Sequence, residues 1–282
     1  MQIFREIEPL KAFLVEKRRS GQTIGFVPTM GALHAGHLSL IQASKEANTL
    51  TVCSIYVNPA QFNNPADLQK YPRTFETDTE LLKKAECDVL FSPDTQDMYE
   101  LENSIRFDFG HLDKVMEGMF RPGHFSGVAM VVSKLLHIVE PDHAYFGQKD
   151  WQQFAIVRQL VRELKFNVKL KSVPTMREAD GLAMSSRNIR LTPHQRKHAI
   201  VLHQALTEAC TLLKSGSTIT QVKESVQHMV ECDPEIKLEY FEAADSENLK
   251  LLNSVEESTR PILCMAALVG EVRLIDNMFL SR

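Results

Sequence analysis

Cysteine is sparse in this sequence and forms no recognisable framework. The 282-residue chain has five cysteines, and no two of them form a C-x-x-C pair. An odd number of scattered cysteines is typical of reduced thiols and argues against a disulfide-stabilised secreted fold. Residues 1–6 contain no cationic segment followed by an apolar core, so we expect no signal peptide. We therefore predict a cytoplasmic protein.

Long apolar runs and a surplus of positive charge are also missing. The longest apolar stretches, residues 128–139 and 261–270, are shorter than the ~20 residues of a transmembrane helix. Lys and Arg number 32 against 36 Asp and Glu, which gives a net charge of −4. Phosphate neutralisation dominates the affinity of proteins for long nucleic acids. We therefore predict neither a membrane nor a nucleic-acid partner, and any anionic small substrate must meet positive charge concentrated at its site.

The composition that is present is ordinary for a globular protein. Hydrophobic residues make up 44% of the chain and charged residues 24%, and we find neither internal repeats nor low-complexity segments. The length is sufficient for two domains at ~150 residues each. Disordered and fibrous classes are excluded.

The first half of the chain alternates strand-like with helix-like patterns. This alternation predicts an α/β fold, in which a doubly wound parallel sheet carries helices on both faces. Ligands of such sheets bind beyond the carboxyl ends of the strands, so the segments after Val27, Val57 and Phe146 are the places to seek chemistry. The predicted strands are residues 23–27, 50–57, 88–91, 143–146 and 167–173, and the predicted helices are residues 36–48, 77–86, 125–140 and 150–164.

The pattern changes near residue 175. Residues 193–216 are predicted to form one long helix and residues 219–231 a second. Two later strand-like runs, 262–269 and 271–275, flank Gly270 as in a hairpin, and residues 237–243 supply a third strand. We therefore predict two domains, residues 1–175 with the parallel sheet and residues 176–282 with a smaller α+β fold.

The segment P-T-M-G-A-L-H-A-G-H (28–37) follows the first predicted strand and opens the first helix. Its small residues let a ligand approach the backbone, and free N–H groups at a helix start attract phosphate. His34 and His37 are three residues apart and can face one ligand. Alternatively, the glycines only form a tight turn, the histidines cap the helix, or the H-x-x-H pair holds a metal ion, for which no third ligand lies nearby. The spacing alone leaves these alternatives open.

Three further segments combine polar side chains with strand ends or loops. Residues 58–64 are rich in neutral amides, which can bind a hydroxyl or a carboxylate without adding charge. In residues 147–153, Lys149 can contact a phosphate, although Asp150 and Gln153 also fit a capping box. Residues 184–188 offer two hydroxyls and Arg187 to a triphosphate. Each segment alone is also compatible with an ordinary loop.

Taken together, the segments closely resemble the pantothenate synthetase family, within the nucleotidyltransferase superfamily shared with class I aminoacyl-tRNA synthetases. The resemblance runs almost end to end. It includes P-T-M-G-A-L-H-A-G-H (28–37), V-N-P-A-Q-F (57–62), Y-P-R-T (71–74), E-G-M-F-R-P-G-H-F-S-G-V (117–128), F-G-Q-K-D-W-Q-Q (146–153) and D-G-L-A-M-S-S-R-N (180–188).

The resemblance implies a two-step ligation. The carboxylate of (R)-pantoate attacks ATP to give pantoyl adenylate and pyrophosphate, and β-alanine then displaces AMP. His37 is implied as the proton donor, with His34, Lys149 and Arg187 acting on phosphate charge. Pantoate is implied between Gln61 and Gln153, and β-alanine near Gln61. The implied ATP site comprises Met30, Gly31, Ala32, Leu33, His34, Ala35, Gly36, His37, Gly147, Gln148, Lys149, Asp150, Met176, Met184, Ser185, Ser186 and Arg187.

The resemblance also implies a Rossmann-like first domain, a smaller carboxy-terminal lid and a homodimer. Mg²⁺ is expected with the ATP phosphates, and Asp78 is the candidate for its outer shell. Gln148 departs from the family pattern, in which a glutamate is usual at that position. A backbone contact at Gln148 survives this change, whereas a carboxylate role there does not.

Three other functions are weaker. A nucleotidyltransferase acting on a phosphorylated cofactor needs cations where this chain has Gln61 and Gln153. A tRNA-binding module is disfavoured by the charge balance and by the lack of an anticodon-binding domain. A non-catalytic nucleotide-binding scaffold is disfavoured by the presence of four polar residues together: His34, His37, Lys149 and Arg187.

Overall fold

Two separate sheets organise the computed structural model, which describes residues 1–100 and 104–281. The first sheet has six parallel strands in the order β1-β4-β3-β2-β5-β6. The second has three antiparallel strands in the order β7-β8-β9. The strands are β1 (Gln2–Phe4), β2 (Ile24–Thr29), β3 (Leu50–Ile55), β4 (Val89–Phe91), β5 (His143–Gly147), β6 (Lys169–Val173), β7 (Ile236–Asp245), β8 (Pro261–Val269) and β9 (Val272–Phe279).

Helices cover the parallel sheet and one side of the second sheet. Five short 3-10 turns connect these elements in the described residues, at Pro59–Gln61, Gly110–Asp113, Gln148–Asp150, Ser186–Arg190 and Val255–Glu257. The α-helices are α1 (Ile7–Arg19), α2 (Ala35–Ala47), α3 (Pro65–Gln69), α4 (Phe75–Lys84), α5 (Thr95–Met98), α6 (Glu117–Phe120), α7 (His124–Val139), α8 (Trp151–Glu163), α9 (Pro193–His198), α10 (Val201–Lys214) and α11 (Ile219–Val230).

The predicted fold class is confirmed. Each strand predicted in the first half is present in the parallel sheet. The inner strands are recognisable because a strand buried on both faces reads as a near-continuous apolar run, whereas the edge strand β6 has no buried residue. β3, for example, is buried along its whole length. The hairpin predicted at Gly270 is also present, since Val269 pairs with Val272 and Gly270 has a φ of +57°.

The core of the parallel sheet extends into the carboxy-terminal half. α7 is apolar on nearly every side and is buried along most of its length, which suits a helix packed between α1, α8 and the sheet. The same apolar cluster includes Ala244 and Ile262 from the second sheet. A second cluster joins α10 and α11 to the other face of that sheet. The two sheets therefore share part of one core.

Two sequence predictions need correction. The long helix predicted over residues 193–216 is two helices, α9 and α10, which are separated at Ala199 and Ile200. Both residues keep helical φ with ψ of −20°, and Leu202 N–H donates to the Ala199 carbonyl, so one turn tightens to 3-10 geometry. No glycine or proline marks this break. The prediction also missed β1 and α1, whose segment is mostly exposed and of mixed pattern.

Candidate active site

The candidate site lies where the strand order of the parallel sheet reverses. β2 is flanked by β3 on one side and β5 on the other, so the chain moves outward in opposite directions from this point. Crevices at such points bind ligands in doubly wound sheets. A cleft opens here beyond the carboxyl ends of β2 and β5, and it continues into a second cavity against the carboxy-terminal sheet.

Most predicted site residues line this cleft. Six predicted residues do not line it: Gly31, Ala32, Leu33, Ala35, Asp78 and Gln148. Those that do are Met30, His34, Gly36, His37, Gln61, Gly147, Lys149, Asp150, Gln153, Met176, Met184, Ser185, Ser186 and Arg187. Segments far apart in sequence therefore meet at one place.

Asp78 supports the loop that enters α2. Its two carboxylate oxygens accept hydrogen bonds from the backbone N–H groups of Ala32 (2.9 Å) and Leu33 (2.8 Å), and its side chain is 1% exposed. Gly31 has a φ of +78°, and a Cβ there would lie 3.0 Å from both Asp78 and Ile55, so glycine is required. This geometry argues against the magnesium role predicted for Asp78, because its oxygens are already used beneath the loop.

The backbone donors of this loop are largely occupied. Besides those bound by Asp78, the N–H groups of Gly31, Gly36 and His34 donate to side chains of the same segment. The His37 N–H donates to the His34 carbonyl. The expectation that free N–H groups at the helix start attract phosphate is therefore wrong for the N–H groups named here, and the imidazoles of His34 and His37 are the donors that this segment presents to the cleft.

His34 and His37 form a reciprocal cap on α2. His34 Nδ1 accepts from the Gly36 N–H at 3.2 Å, and His37 Nδ1 accepts from the His34 N–H at 3.3 Å. Burial, then Lys149, lowers the pKa of His34 to about 4, and burial, then His34 and Lys149, lowers that of His37 to about 3. Both rings are thus neutral at pH 7 and carry their proton on Nε2. Capping and ligand binding are compatible here, since they use opposite ring nitrogens.

The loop that carries Lys149 is held by the second sheet. Asn277 of β9 donates from Nδ2 to the carbonyl oxygens of Gln148 (2.9 Å) and Lys149 (2.7 Å). The Gln148 carbonyl oxygen therefore accepts a hydrogen bond from Asn277, and this backbone contact does not depend on whether the side chain is glutamine or the usual glutamate. Asp150 makes no side-chain cap at the start of α8, so the capping-box alternative for this segment is wrong. Its carboxylate instead lies 3.6 Å from Lys149 Nζ.

The loop that carries Arg187 is held by contacts with two segments, the loop before α2 and helix α3. Ser186 Oγ donates to the Ala32 carbonyl at 2.9 Å. Arg187 and Arg190 both bind the carboxylate of Asp67, at 2.8 and 2.7 Å. Burial alone would lower the pKa of Arg187, but the bond with Asp67 outweighs it and raises that pKa. Among the described residues, the cleft therefore holds two cations, Lys149 and Arg187, and each of them lies beside a carboxylate, so the predicted local surplus of positive charge is not present.

Gln61 is held in position by its neighbours. Its Nε2 donates to the sulfur of Met30 at 2.8 Å, and its Oε1 accepts from Asn58 at 3.3 Å. His124 binds the Gln61 carbonyl through Nδ1 at 2.7 Å, while its Nε2 accepts from Arg121 at 3.1 Å, since a guanidinium can only donate. Burial, then Arg121, lowers the pKa of His124 to about 3.

The second cavity contains a charged network between the two sheets. Arg273 binds the buried carboxylate of Glu117 through both terminal nitrogens at 2.7 Å, and Tyr240 donates to it at 2.9 Å. Burial alone would raise the pKa of Glu117, but the Arg273 guanidinium outweighs it and holds that pKa below its usual value. Arg121 lies 3.7 Å from the same carboxylate. This ion pair therefore joins α6 to β9 at the wall of the site.

Several residues of the site have no role that the sequence predicts. Arg121, His124 and Glu117 belong to the motif E-G-M-F-R-P-G-H-F, which signalled the segment but not its contacts. Asn58 lies in the amide-rich loop beside Gln61. Asn277 stands in no motif, and its position depends on the packing of β9 against residues 148–150.

The fold and the cleft define an α/β protein with neutral histidines, cations and amide side chains at one site. The chain belongs to the pantoate-beta-alanine ligase family, whose model matches residues 2–279. The predicted family and enzyme class are thereby confirmed: members join pantoate to β-alanine. Among curated relatives, the pantothenate synthetase of Cytophaga hutchinsonii is 46% identical over 273 residues, 96% of each chain. That of Thermotoga neapolitana is 45% identical over 283 residues, 100% of each chain.

Solved structures agree with this membership. The chain matches pantothenate synthetase from Thermus thermophilus with a TM-score of 0.94, 38% identity and 100% of both chains covered. It also matches a Francisella tularensis pantoate-β-alanine ligase complexed with β-γ ATP and β-alanine, with a TM-score of 0.81 and 36% identity, covering 99% of this chain and 98% of that one. In the part of the chain that the structure describes, no helix is both long and apolar enough to span a membrane.

Proposed function

We propose that this chain forms pantothenate in two steps at the single cleft described above. In the first, the carboxylate of (R)-pantoate attacks the α-phosphorus of ATP, the bond to pyrophosphate breaks, and pantoyl adenylate forms. In the second, the amine of β-alanine attacks the acyl carbon, AMP leaves, and the amine loses a proton. The supporting observation is that imidazole, ammonium and guanidinium groups line the same cleft as neutral amide side chains.

The phosphate side of the site consists of His34, His37, Lys149 and Arg187. Charge grows on the phosphate oxygens as the α-phosphorus is attacked, and fixed donors that face this charge stabilise the transition state. The two neutral imidazoles donate hydrogen bonds from Nε2 and are not acids at pH 7, because their pKa values lie at about 4 and 3. Their predicted role therefore becomes hydrogen-bond donation, while the guanidinium and the ammonium supply the positive charge.

The pantoate side consists of Gln61 and Gln153. Both line the cleft and its extension, and neither carries a charge. Amide groups can donate to a carboxylate and also accept from the hydroxyls of pantoate. β-Alanine is proposed beside Gln61, where the amine can approach the acyl carbon. Holding both groups in one cleft makes the second attack effectively unimolecular.

The residues of the cleft fit a magnesium ion bound with ATP. Mg²⁺ prefers oxygen ligands and commonly uses phosphates, waters and one or two carboxylates. Among the described residues that line the larger cavity, Asp150 supplies the carboxylate, and its side chain is 43% exposed. When bound, the ion would neutralise phosphate charge. We therefore propose Asp150 in place of Asp78 as its protein partner.

The predicted domain division, cellular location and oligomeric state are also proposals. A division into residues 1–175 and 176–282 agrees with a first sheet that ends at Val173 and a second that begins at Ile236. The five cysteines are free, which supports a reducing, cytoplasmic location. The homodimer rests on the family resemblance alone.

One experiment tests the two-step reaction. Protein supplied with ATP, Mg²⁺ and pantoate, but no β-alanine, should exchange labelled pyrophosphate into ATP. Adding β-alanine should then release AMP and pantothenate in equal amounts. Product formation without any pyrophosphate exchange in the absence of β-alanine would indicate a concerted reaction and contradict the adenylate.

A further inference from the structure

Two histidines and an aspartate meet outside the cleft, on the carboxy-terminal half of the chain. His194 and His198 are four residues apart on α9, so they lie on the same face of that helix, and their rings stack with centroids 4.3 Å apart. Asp233 comes from the turn between α11 and β7, and its Oδ2 lies 2.5 Å from His198 Nδ1. One ligand atom from each of the three side chains lies within 4.8 Å of the others.

The carboxylate of this cluster has an unused oxygen. Asp233 Oδ1 accepts from the Glu235 N–H at 2.9 Å. Oδ2 is buried, and although His198 Nδ1 lies 2.5 Å away, no group in the described part of the chain makes a hydrogen bond of acceptable geometry with it. A buried carboxylate oxygen without a partner is costly and calls for a cation or a donor. Glu235 adds further negative charge, with its carboxylate 3.8 Å from His194.

The cluster is also open to solvent. The side chains of His194 and His198 are 59% and 40% exposed, while that of Asp233 is 14% exposed. All three line one surface cavity. An ion can therefore reach the two imidazoles without any opening of the fold, while the buried Oδ2 of Asp233 becomes accessible only after a side-chain rotation.

We propose that His194, His198 and Asp233 bind a divalent transition-metal ion of the Zn²⁺ type. Two imidazoles and one carboxylate are a common zinc donor set, with a fourth position left for water or for a residue such as Glu235. Zn²⁺ binds such donors at ~2.0–2.2 Å, which places neighbouring donors of a tetrahedron about 3.4 Å apart. The ligand atoms of the three side chains lie 2.5 to 4.8 Å apart. Side-chain rotations that move each atom by about 1 Å bring them to the tetrahedral spacing.

This site differs in chemistry from the magnesium position proposed at the cleft. Imidazole suits zinc and related ions, whereas Mg²⁺ prefers oxygen ligands and retains its waters. The two sites share no residue. An ion here would cross-link α9 to the turn that precedes β7, so its binding should raise the melting temperature without requiring ATP.

Calorimetric titration of the metal-free full-length protein with Zn²⁺, in the presence of excess Mg²⁺ and without ATP, tests the proposal. One ion per chain should bind, and the melting temperature should rise. His198→Ala and Asp233→Asn should each weaken binding about 100-fold or more, since even loss of residues behind metal ligands costs 10–100-fold. Asparagine keeps the oxygen that accepts from Glu235, so Asp233→Asn should still fold.

Two control variants make the outcome decisive. His228→Ala removes an exposed histidine of α11 outside the donor set and should bind Zn²⁺ as the unchanged protein does. Cys232→Ser tests the thiol that lines the same cavity, and it should also bind normally. Absence of saturable binding would overturn the proposal. So would binding that survives both His198→Ala and Asp233→Asn, or binding that is lost on His34→Ala at the cleft.

Discussion

Asn277 donates a hydrogen bond from Nδ2 to the carbonyl oxygen of Lys149, and the two atoms are 2.7 Å apart. The same nitrogen donates to the Gln148 carbonyl at 2.9 Å. Asn277 is 6% exposed, so its amide is committed to these two carbonyl groups and not to solvent. A residue of the antiparallel sheet thus fixes the backbone of a lysine that we place against the phosphates of ATP.

Replacing Asn277 with leucine should impair adenylation. Leucine keeps a similar volume but removes both donations, each worth ~0.5–1.5 kcal/mol. If this energy positions Lys149, pyrophosphate exchange should fall about 10-fold, the equivalent of ~1.4 kcal/mol. Pantoate affinity should change much less. A lower melting temperature with a normal exchange rate would show that Asn277 only stabilises the fold.

His37→Gln should separate capping from catalysis. Glutamine is the usual residue at the third position of a capping box, so it can accept from the His34 N–H in place of Nδ1. It cannot supply the fixed Nε2–H of the imidazole. Loss of one such donor typically costs 10²–10³ in rate. We expect adenylation to slow at least about 100-fold, with ATP affinity and melting temperature nearly unchanged. A variant that adenylates normally would remove His37 from the catalytic residues.

Stability should fall as the pH decreases from 6.5 to about 3. The pKa values of His34, His37 and His124 are about 4, 3 and 3 in the folded chain, against about 6.5 when unfolded. The unfolded chain therefore binds more protons in this interval, and the free energy of unfolding decreases as the pH falls. Each histidine contributes at most ~1.4 kcal/mol per pH unit. Urea unfolding at a series of pH values should show a shallower slope for His37→Gln, and an unchanged slope would contradict the neutral form.

Replacing either of two adjacent glutamines, Gln152 and Gln153, with alanine should have different effects. Gln153 lines the cleft, so Gln153→Ala should weaken pantoate binding by ~1–3 kcal/mol and leave the melting temperature unchanged. Gln152 is buried and binds the backbone of Glu117, Leu112 and Val115 at 2.8–3.0 Å, so Gln152→Ala should mainly destabilise the fold. Calorimetry with pantoate and thermal unfolding of both variants separate the two roles. Unchanged pantoate affinity in Gln153→Ala would place the pantoate pocket elsewhere.

The parallel sheet and much of the site were predictable because their signals are local. Apolar strands such as β3 are recognisable from their continuous apolar sequence. The motifs around His34 and Lys149 each follow the end of a strand, and the fold brings these strand ends to one edge of the sheet. What the sequence could not reveal depends on contacts between distant segments. The magnesium role predicted for Asp78 is one example, because the carboxylate oxygens of Asp78 bind the loop before α2. The break at Ala199 likewise has no marker in the sequence.

Arg187 contacts Asp67, and removal of its guanidinium should affect the first half-reaction more than the second. Asp67 binds both Arg187 and Arg190, and Arg187 also lies 5.7 Å from the ring of Tyr71. If Arg187 acts on the triphosphate, Arg187→Ala should slow adenylation and leave the attack of β-alanine on preformed pantoyl adenylate largely intact. Charge-assisted hydrogen bonds to phosphate are about twice as strong as neutral ones, so a loss of at least 10-fold is expected.

Arg190→Ala is the matched control for this variant, because it removes the other guanidinium on Asp67 but not the one that lines the cleft. It should weaken the attachment of the loop to α3 and lower the melting temperature, while the adenylation rate changes little. Single-turnover measurements of the two half-reactions on both variants decide the matter. Equal slowing of both steps in Arg187→Ala would mean that the loop closes the site against water. Equal slowing of adenylation in the two variants would mean that Asp67 anchoring, and not the Arg187 charge, is what the first step requires.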